Sequence, residues 1–248
     1  MKTTKLFLLA CLLCAAGACN DDDDDSSAIT SEEAADVVGS SLAINSSGLT
    51  AVVNASVEGT DAALEASEGG RTAACGYTNE LTFSATNLPG ALITYSYDYS
   101  YSYILTCGND IPQSLAVTTA YEGQFDAPRL ASQHTGSSNL TITALDETET
   151  SYIINGDYDR AGSFQSKIRN KNSSTSTVDF SVDDLTVDKT NQKILSGSAS
   201  VTITGSVTGK GSFTYTASVV FEGDGTATVT INGTVYIVDL TTGTAVAA

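Results

Sequence analysis

The 248-residue sequence has no tryptophan, one histidine, three prolines and only 11 basic side chains against 29 acidic ones. Each shortage excludes something. A formal charge of −18 argues against a nucleic-acid partner, because a phosphate backbone is gripped by clustered Lys and Arg. A single histidine closes the catalytic routes that need several imidazoles. Leu, Ile, Val and Phe total 56 residues, about 23%, which keeps the chain just above the range where disorder is the default. Ser and Thr total 64. With few Lys and Glu beside them, that composition favours strands over helices. The length suits one large domain once any leader is removed.

Lys2 and Lys5 open the chain, and Leu6 to Ala18 form a 13-residue apolar run. That run fits the core of a signal peptide and is too short for a spanning helix of about 20 residues. Ala16-Gly17-Ala18-Cys19 follows, with small residues at the three positions before Cys19. The tetrapeptide resembles the lipobox of bacterial lipoproteins, although that family usually has Leu where Ala16 stands. The resemblance implies cleavage before Cys19, so that residues 1–18 are a signal peptide. Cys19 then becomes the lipidated N-terminus, held by two or three acyl chains where one would bind only marginally. Asn20 and the run Asp21, Asp22, Asp23, Asp24 and Asp25 come next. An acidic run directly after the lipidated cysteine resembles the export signal of surface-exposed lipoproteins in Bacteroidota. It implies an outer-membrane protein facing the cell exterior. Consecutive aspartates lack the spaced ligands and turn glycine of a calcium loop.

Cleavage removes Cys11 and Cys14 and lipidation uses Cys19, leaving Cys75 and Cys107. In an oxidising compartment, a Cys75–Cys107 disulfide is the simplest reading. It closes a loop of about 30 residues, worth about 3–4 kcal/mol in the chain-entropy model. Zinc is rejected for lack of ligands, and no cofactor or metal is expected.

Residues 19–30 read as a tether. Thr30-Ser31-Glu32-Glu33 matches a capping box, and Ala34, Val37, Val38 and Leu42 follow at helical spacing. The pattern predicts a helix over 31–44, a break at Gly48, and a second short helix over 48–66. From Cys75 the period changes to two. Tyr95, Tyr97, Tyr99, Tyr101 and Tyr103 alternate with small polar residues, so they share one face of a strand. Further strands are predicted at 115–125, 138–145, 150–158, 162–169, 177–188, 193–206, 211–222, 226–231 and 234–240. Val178, Phe180 and Val182 are even-numbered while Leu185 and Val187 are odd. Either a bulge at Asp183-Asp184 restores their common face, or two strands meet there. Asn232-Gly233 is a type I′ hairpin signal. It pairs Ile231 with Thr234, Val229 with Tyr236 and Ala227 with Val238. A three-residue turn with left-handed Gly225 pairs Phe221 with Ala227 and Val219 with Val229. Residues 31–248 are therefore expected to be one mainly β domain: an antiparallel β-sandwich, or a strongly curved sheet or partial barrel, behind one or two short N-terminal helices. No aromatic girdle pairs mark a membrane-spanning barrel. In pattern, the mature chain also resembles a type of Bacteroidota lipoprotein with a helical start, Cys75-Gly76, a Tyr-rich strand with Cys107, a segment like Asn155 to Ser163, and a C-terminal meander like Thr226 to Gly243. That resemblance implies no particular activity.

Candidate chemistry is sparse. His134, in Ser132-Gln133-His134-Thr135-Gly136, reads as a solvated loop residue, and no Gly-x-Ser-x-Gly elbow surrounds any serine. Asp157/Asp159 and Asp183/Asp184 are the carboxylate doublets a glycoside hydrolase would need, yet such residues beside turns are ordinarily solvated. Arg160, Lys167, Arg169 and Lys171 form the one basic cluster, with Arg160 expected to pair with Asp157 and Asp159. The tyrosine row is the best ligand-binding candidate, for a sugar or amphipathic ligand, and otherwise a core face. The expected function is a non-enzymatic, lipid-anchored surface protein. Its partners are the membrane through its anchor and a glycan or another envelope protein. A lipid or apolar-ligand carrier and a polysaccharide hydrolase are the alternatives.

Overall fold

A computed structural model describes residues 28–68, 75, 76, 78–87 and 90–248. The capping box forms: the Thr30 hydroxyl accepts from the Glu33 amide at 3.1 Å, and the Thr30 amide donates to the Glu33 carboxylate at 3.0 Å. It starts α1, Ser31–Leu42. The helix stops two residues earlier than its apolar spacing predicts, and Ile44–Ser46 make one 3-10 turn. Ser47 adopts left-handed backbone (φ 55°) and Gly48 donates to the Ala43 carbonyl at 2.8 Å. A side chain at Gly48 would strike the Leu42–Ala43 backbone. α2, Leu49–Glu68, follows.

The rest is one sheet. Its strands are β1 (Thr78–Thr86), β2 (Thr94–Gly108), β3 (Ile111–Asp126), β4 (Leu130–Thr143), β5 (Ser151–Ser166), β6 (Ser173–Asp188), β7 (Ile194–Val207), β8 (Gly211–Phe221), β9 (Thr226–Ile231), β10 (Thr234–Asp239) and β11 (Ala245–Ala247). Each pairs antiparallel with its neighbours in the chain, in the order β1 to β11. The sheet is open, with β1 and β11 as its edges, so the sandwich alternative is not realised. Curvature follows from reach. α1 touches β4, β5, β9, β10 and β11, and the Tyr215 hydroxyl on β8 reaches the Ile29 carbonyl at its start. On a flat sheet β4 and β10 would lie about 29 Å apart, beyond the span of a helix about 10–12 Å wide. The sheet therefore wraps around the helices. Val37, Val38, Leu42, Leu49, Val53 and Val57 fill the inside, all buried. β1 escapes this cover. Leu81 and Phe83 share the inner face with Tyr99 and Tyr101, yet stay 44% and 46% exposed.

The C-terminal register is the predicted one. Ile231 faces Thr234, Val229 faces Tyr236 and Ala227 faces Val238, while Phe221 faces Ala227 and Val219 faces Val229. Asn232 and Gly233 both take positive φ (49° and 79°), the type I′ geometry. β6 is continuous, with its irregularity after Asp183, and Val178, Phe180, Val182, Leu185 and Val187 all point inward. Two expectations fail. Segments 150–158 and 162–169 are a single strand, β5, and the strand predicted to begin at 138 begins at 130. The stretches left out, 130–137 and 159–161, hold mostly polar, charged and small residues with little apolar alternation. Gly156 and Gly162 lie inside β5 because a Cβ there would collide with the Asn139 and Gln133 carbonyls of β4, the close backbone approach that glycine permits within a strand. β11 was not foreseen.

Candidate functional site

The inner face centres on Arg160. It is 1% exposed on β5, which corrects the expectation of a surface pair with Asp157 and Asp159. Arg160 shares its face with Tyr158 and Phe164, since residues two apart point the same way. Its guanidinium donates to the Ser40 carbonyl at 2.6 Å and to His134 Nδ1 at 3.0 Å. It also lies 5.3 and 5.6 Å from the Phe125 and Phe164 ring centres. Ser40 is in the last turn of α1, where carbonyls lack helical partners and carry partial negative charge. α1 has no basic residue in that turn, so β5 supplies the cation.

His134 is likewise not in a loop. It lies in β4 and is 4% exposed. Because Arg160 can only donate, Nδ1 must accept, and the ring proton belongs on Nε2. The Ser132 hydroxyl also contacts Nδ1, at 2.9 Å. Burial first, then the Arg160 charge, pushes the His134 pKa far below its ordinary value. The ring is a fixed neutral acceptor, unsuited to taking a proton from a substrate.

Of the tyrosine row, Tyr97, Tyr99, Tyr101 and Tyr103 are buried and do not form a ligand face. Three of them hold the helical segment. Tyr97 donates to the Ser46 carbonyl at 2.8 Å, Tyr99 hydrogen-bonds the Ser47 hydroxyl at 2.5 Å, and Tyr103 reaches the Ala55 carbonyl at 3.3 Å. Tyr158 donates to the Ser47 carbonyl at 3.0 Å and meets Tyr121 at 2.5 Å. Burial drives their pKa values up, that of Tyr99 to about 12. The chain's own helices occupy the space an apolar ligand would need.

The outer face carries a different site. Two adjoining hollows, of about 670 Å³ and 530 Å³, share Ser96, Gln124 and Gln133. The larger is also lined by Tyr95, Ser163, Gln165, Thr175 and Ser206, the smaller by Asp98, Glu122 and the backbone at Gly123 and Gly162. Gln124 and Gln133 stand directly opposite each other on β3 and β4. Among the described residues their side-chain amides make no hydrogen bond, and each offers a donor and an acceptor. Tyr95 borders this groove, but it keeps the inward parity of its row, and its half-buried ring stacks on Tyr97 with centres 6.0 Å apart. Nothing in the sequence singles out the glutamines from the other polar residues that alternate along these strands.

The carboxylate doublets lie on the same exposed face. Asp159 sits opposite Asp179, and burial, then Asp179 and Asp157, raise its pKa. Asp184 is the bulge residue (φ 48°), held by Asn155, which accepts from its amide at 2.9 Å. Cys75 and Cys107 form a disulfide with Cα atoms 5.4 Å apart. Cys19 and Asp21 to Asp25 lie outside the described residues. Among the described residues no group of three or more His, Cys, Asp or Glu is arranged to hold a metal, and no helix is long and apolar enough to cross a membrane. The chain matches no protein family, no characterised protein and no solved structure.

Proposed function

We propose that this chain is a lipid-anchored, non-catalytic protein of the outer cell surface that binds a carbohydrate in the groove over β2–β7. The observation that carries the reading is the groove's lining. Its larger hollow, about 670 Å³, lies in the size range of ligand sites. Hydroxyls and amides make up much of its lining, beside Phe125, Ala131, Phe164 and the Asp126 carboxylate. Serine, threonine and glutamine side chains both donate and accept, which suits a neutral ligand dense in hydroxyls. Anchoring rests on Ala16-Gly17-Ala18-Cys19 and the aspartates that follow.

A panel of neutral oligosaccharides titrated into the mature chain tests the groove. Binding that is lost in Gln124→Ala/Gln133→Ala with an unchanged melting temperature supports the site. Equal binding by the double variant, or none by the parent chain, overturns it. The anchor is tested separately: Cys19→Ala abolishes acyl labelling, and protease removes the parent chain from intact cells. A chain untouched by protease sinks the surface assignment while leaving the groove open to test.

A further inference from the structure

In a strictly sequential antiparallel sheet, alternate connections gather at opposite ends. At one end lie the connections 87–93, 127–129, 167–172, 208–210 and 232–233. They hold Arg129, Lys167, Arg169, Lys171 and Lys210 and no acid. The other end, 109–110, 144–150, 189–193, 222–225 and 240–244, holds Asp110, Asp146, Glu147, Glu149, Glu222 and Asp224 against Lys189 and Lys193. The cations of a strongly acidic chain are thus collected on one rim. Part of that charge is already used. Arg129 binds Asp36 and Glu32, Arg169 reaches Glu32, and Lys167 pairs with Asp126. Lys171 and Lys210 are exposed and have no acidic partner among the described residues. The chain enters the fold at this same rim: the Asn172 side-chain amide donates to the Ala28 carbonyl at 3.4 Å.

We infer that the acidic run Asp21–Asp25 docks on this cationic rim, with Lys171, Lys210 and the exposed Arg169 as its partners. Two facts select this occupant. The run ends three residues before Ala28, so its last carboxylate lies within about 11 Å of that residue and its first within about 25 Å. Its charge is opposite to the rim's, and tethering gives it an effective concentration that no free anion matches. An anionic membrane surface is the competing occupant. The folded domain then displays its acidic leader in a fixed place, and the leader is an open acidic peptide only before folding. This inference does not depend on the groove.

The test uses the mature chain in non-ionic detergent. Changing Asp21–Asp25 to Asn lowers the melting temperature by about 2–4 °C at low salt, and the loss vanishes near about 0.5 M salt. In a Lys171→Gln/Lys210→Gln background the same change has almost no effect, because the two groups act as a pair. Carbodiimide joins Lys171 or Lys210 to the 21–25 segment. An unchanged or raised melting temperature overturns the proposal, since removing five negative charges from a chain this acidic otherwise relieves repulsion. If the Asn variant melts like the parent and anionic phospholipid vesicles capture the chain through Lys171 and Lys210, the rim is a membrane contact and the proposal fails.

Discussion

The two faces of the sheet are built from alternate residues of the same strands, yet they obey different rules. The inner face is crowded and over-determined. Gly162 is bare because the Gln133 carbonyl and His134 Cβ occupy its Cβ position. Gly136 makes room for the Tyr121 ring, and Arg160, Tyr97 and Tyr158 each point at one carbonyl of the helical segment. Outside, Thr177 and Thr204 share a hydroxyl contact at 2.7 Å across strands and water can replace every such bond. One face fixes the fold around its helices. The other is free to be shaped by a ligand.

Substitutions sharpen or break that contrast. Arg160→Ala gives the largest loss, about 3–5 kcal/mol, because it empties a large buried volume and removes the charged donor from the Ser40 carbonyl, leaving it only the Ser46 hydroxyl. Urea denaturation measures it, and a loss below about 1 kcal/mol would mean the inner face is not tightly specified. Gly162→Ala costs about 1–3 kcal/mol by overpacking against backbone that cannot retreat, read in the same assay. Buried His134 makes stability depend on pH. Its folded pKa is lowered, so below the unfolded value near 6.5 the unfolded state binds a proton that the folded state refuses. Stability then falls by about 1.4 kcal/mol per pH unit, and His134→Gln removes that slope between about pH 6 and 5, before carboxylates titrate. Tyr158→Phe costs about 1–2 kcal/mol through the orphaned Ser47 carbonyl and Tyr121 hydroxyl. Thr177→Ala, on the outer face, stays within about 0.5 kcal/mol. A larger outer-face loss would erase the distinction.

The same contrast explains what the sequence disclosed. Period-two alternation, the capping box and the Asn232-Gly233 turn are local signals, and they located the helices, the meander and its register. The parity switch at Asp183-Asp184 demanded either a bulge or a break, because burial tolerates no slip, and the continuous strand takes the bulge. Gly136, Gly156 and Gly162 serve neighbours on other strands, so their meaning is not local. Stretches 130–137 and 159–161, weak in apolar alternation, read as loop and turn, which displaces His134 and Arg160, although Arg160 shares the parity of Tyr152, Ile154, Tyr158 and Phe164. The groove was illegible for a different reason. Its glutamines become a pair only through the β3–β4 register, and an outer face of Ser, Thr and Gln looks alike wherever it is read.

The pairing of each strand with its chain neighbour has a kinetic side. Sheet contacts of this kind close short loops, so the meander can zip hairpin by hairpin at a modest entropic barrier. The helices are the exception: Arg129 meets Asp36 across 93 residues and Tyr215 meets Ile29 across 186. Their docking closes the longest loops and carries the largest entropic cost. Without the helices, the inside of the wrapped sheet would stand open and the Arg160 cation would meet water. Seating the C-terminus of α1 against that cation is what turns a string of hairpins into a single cooperative unit.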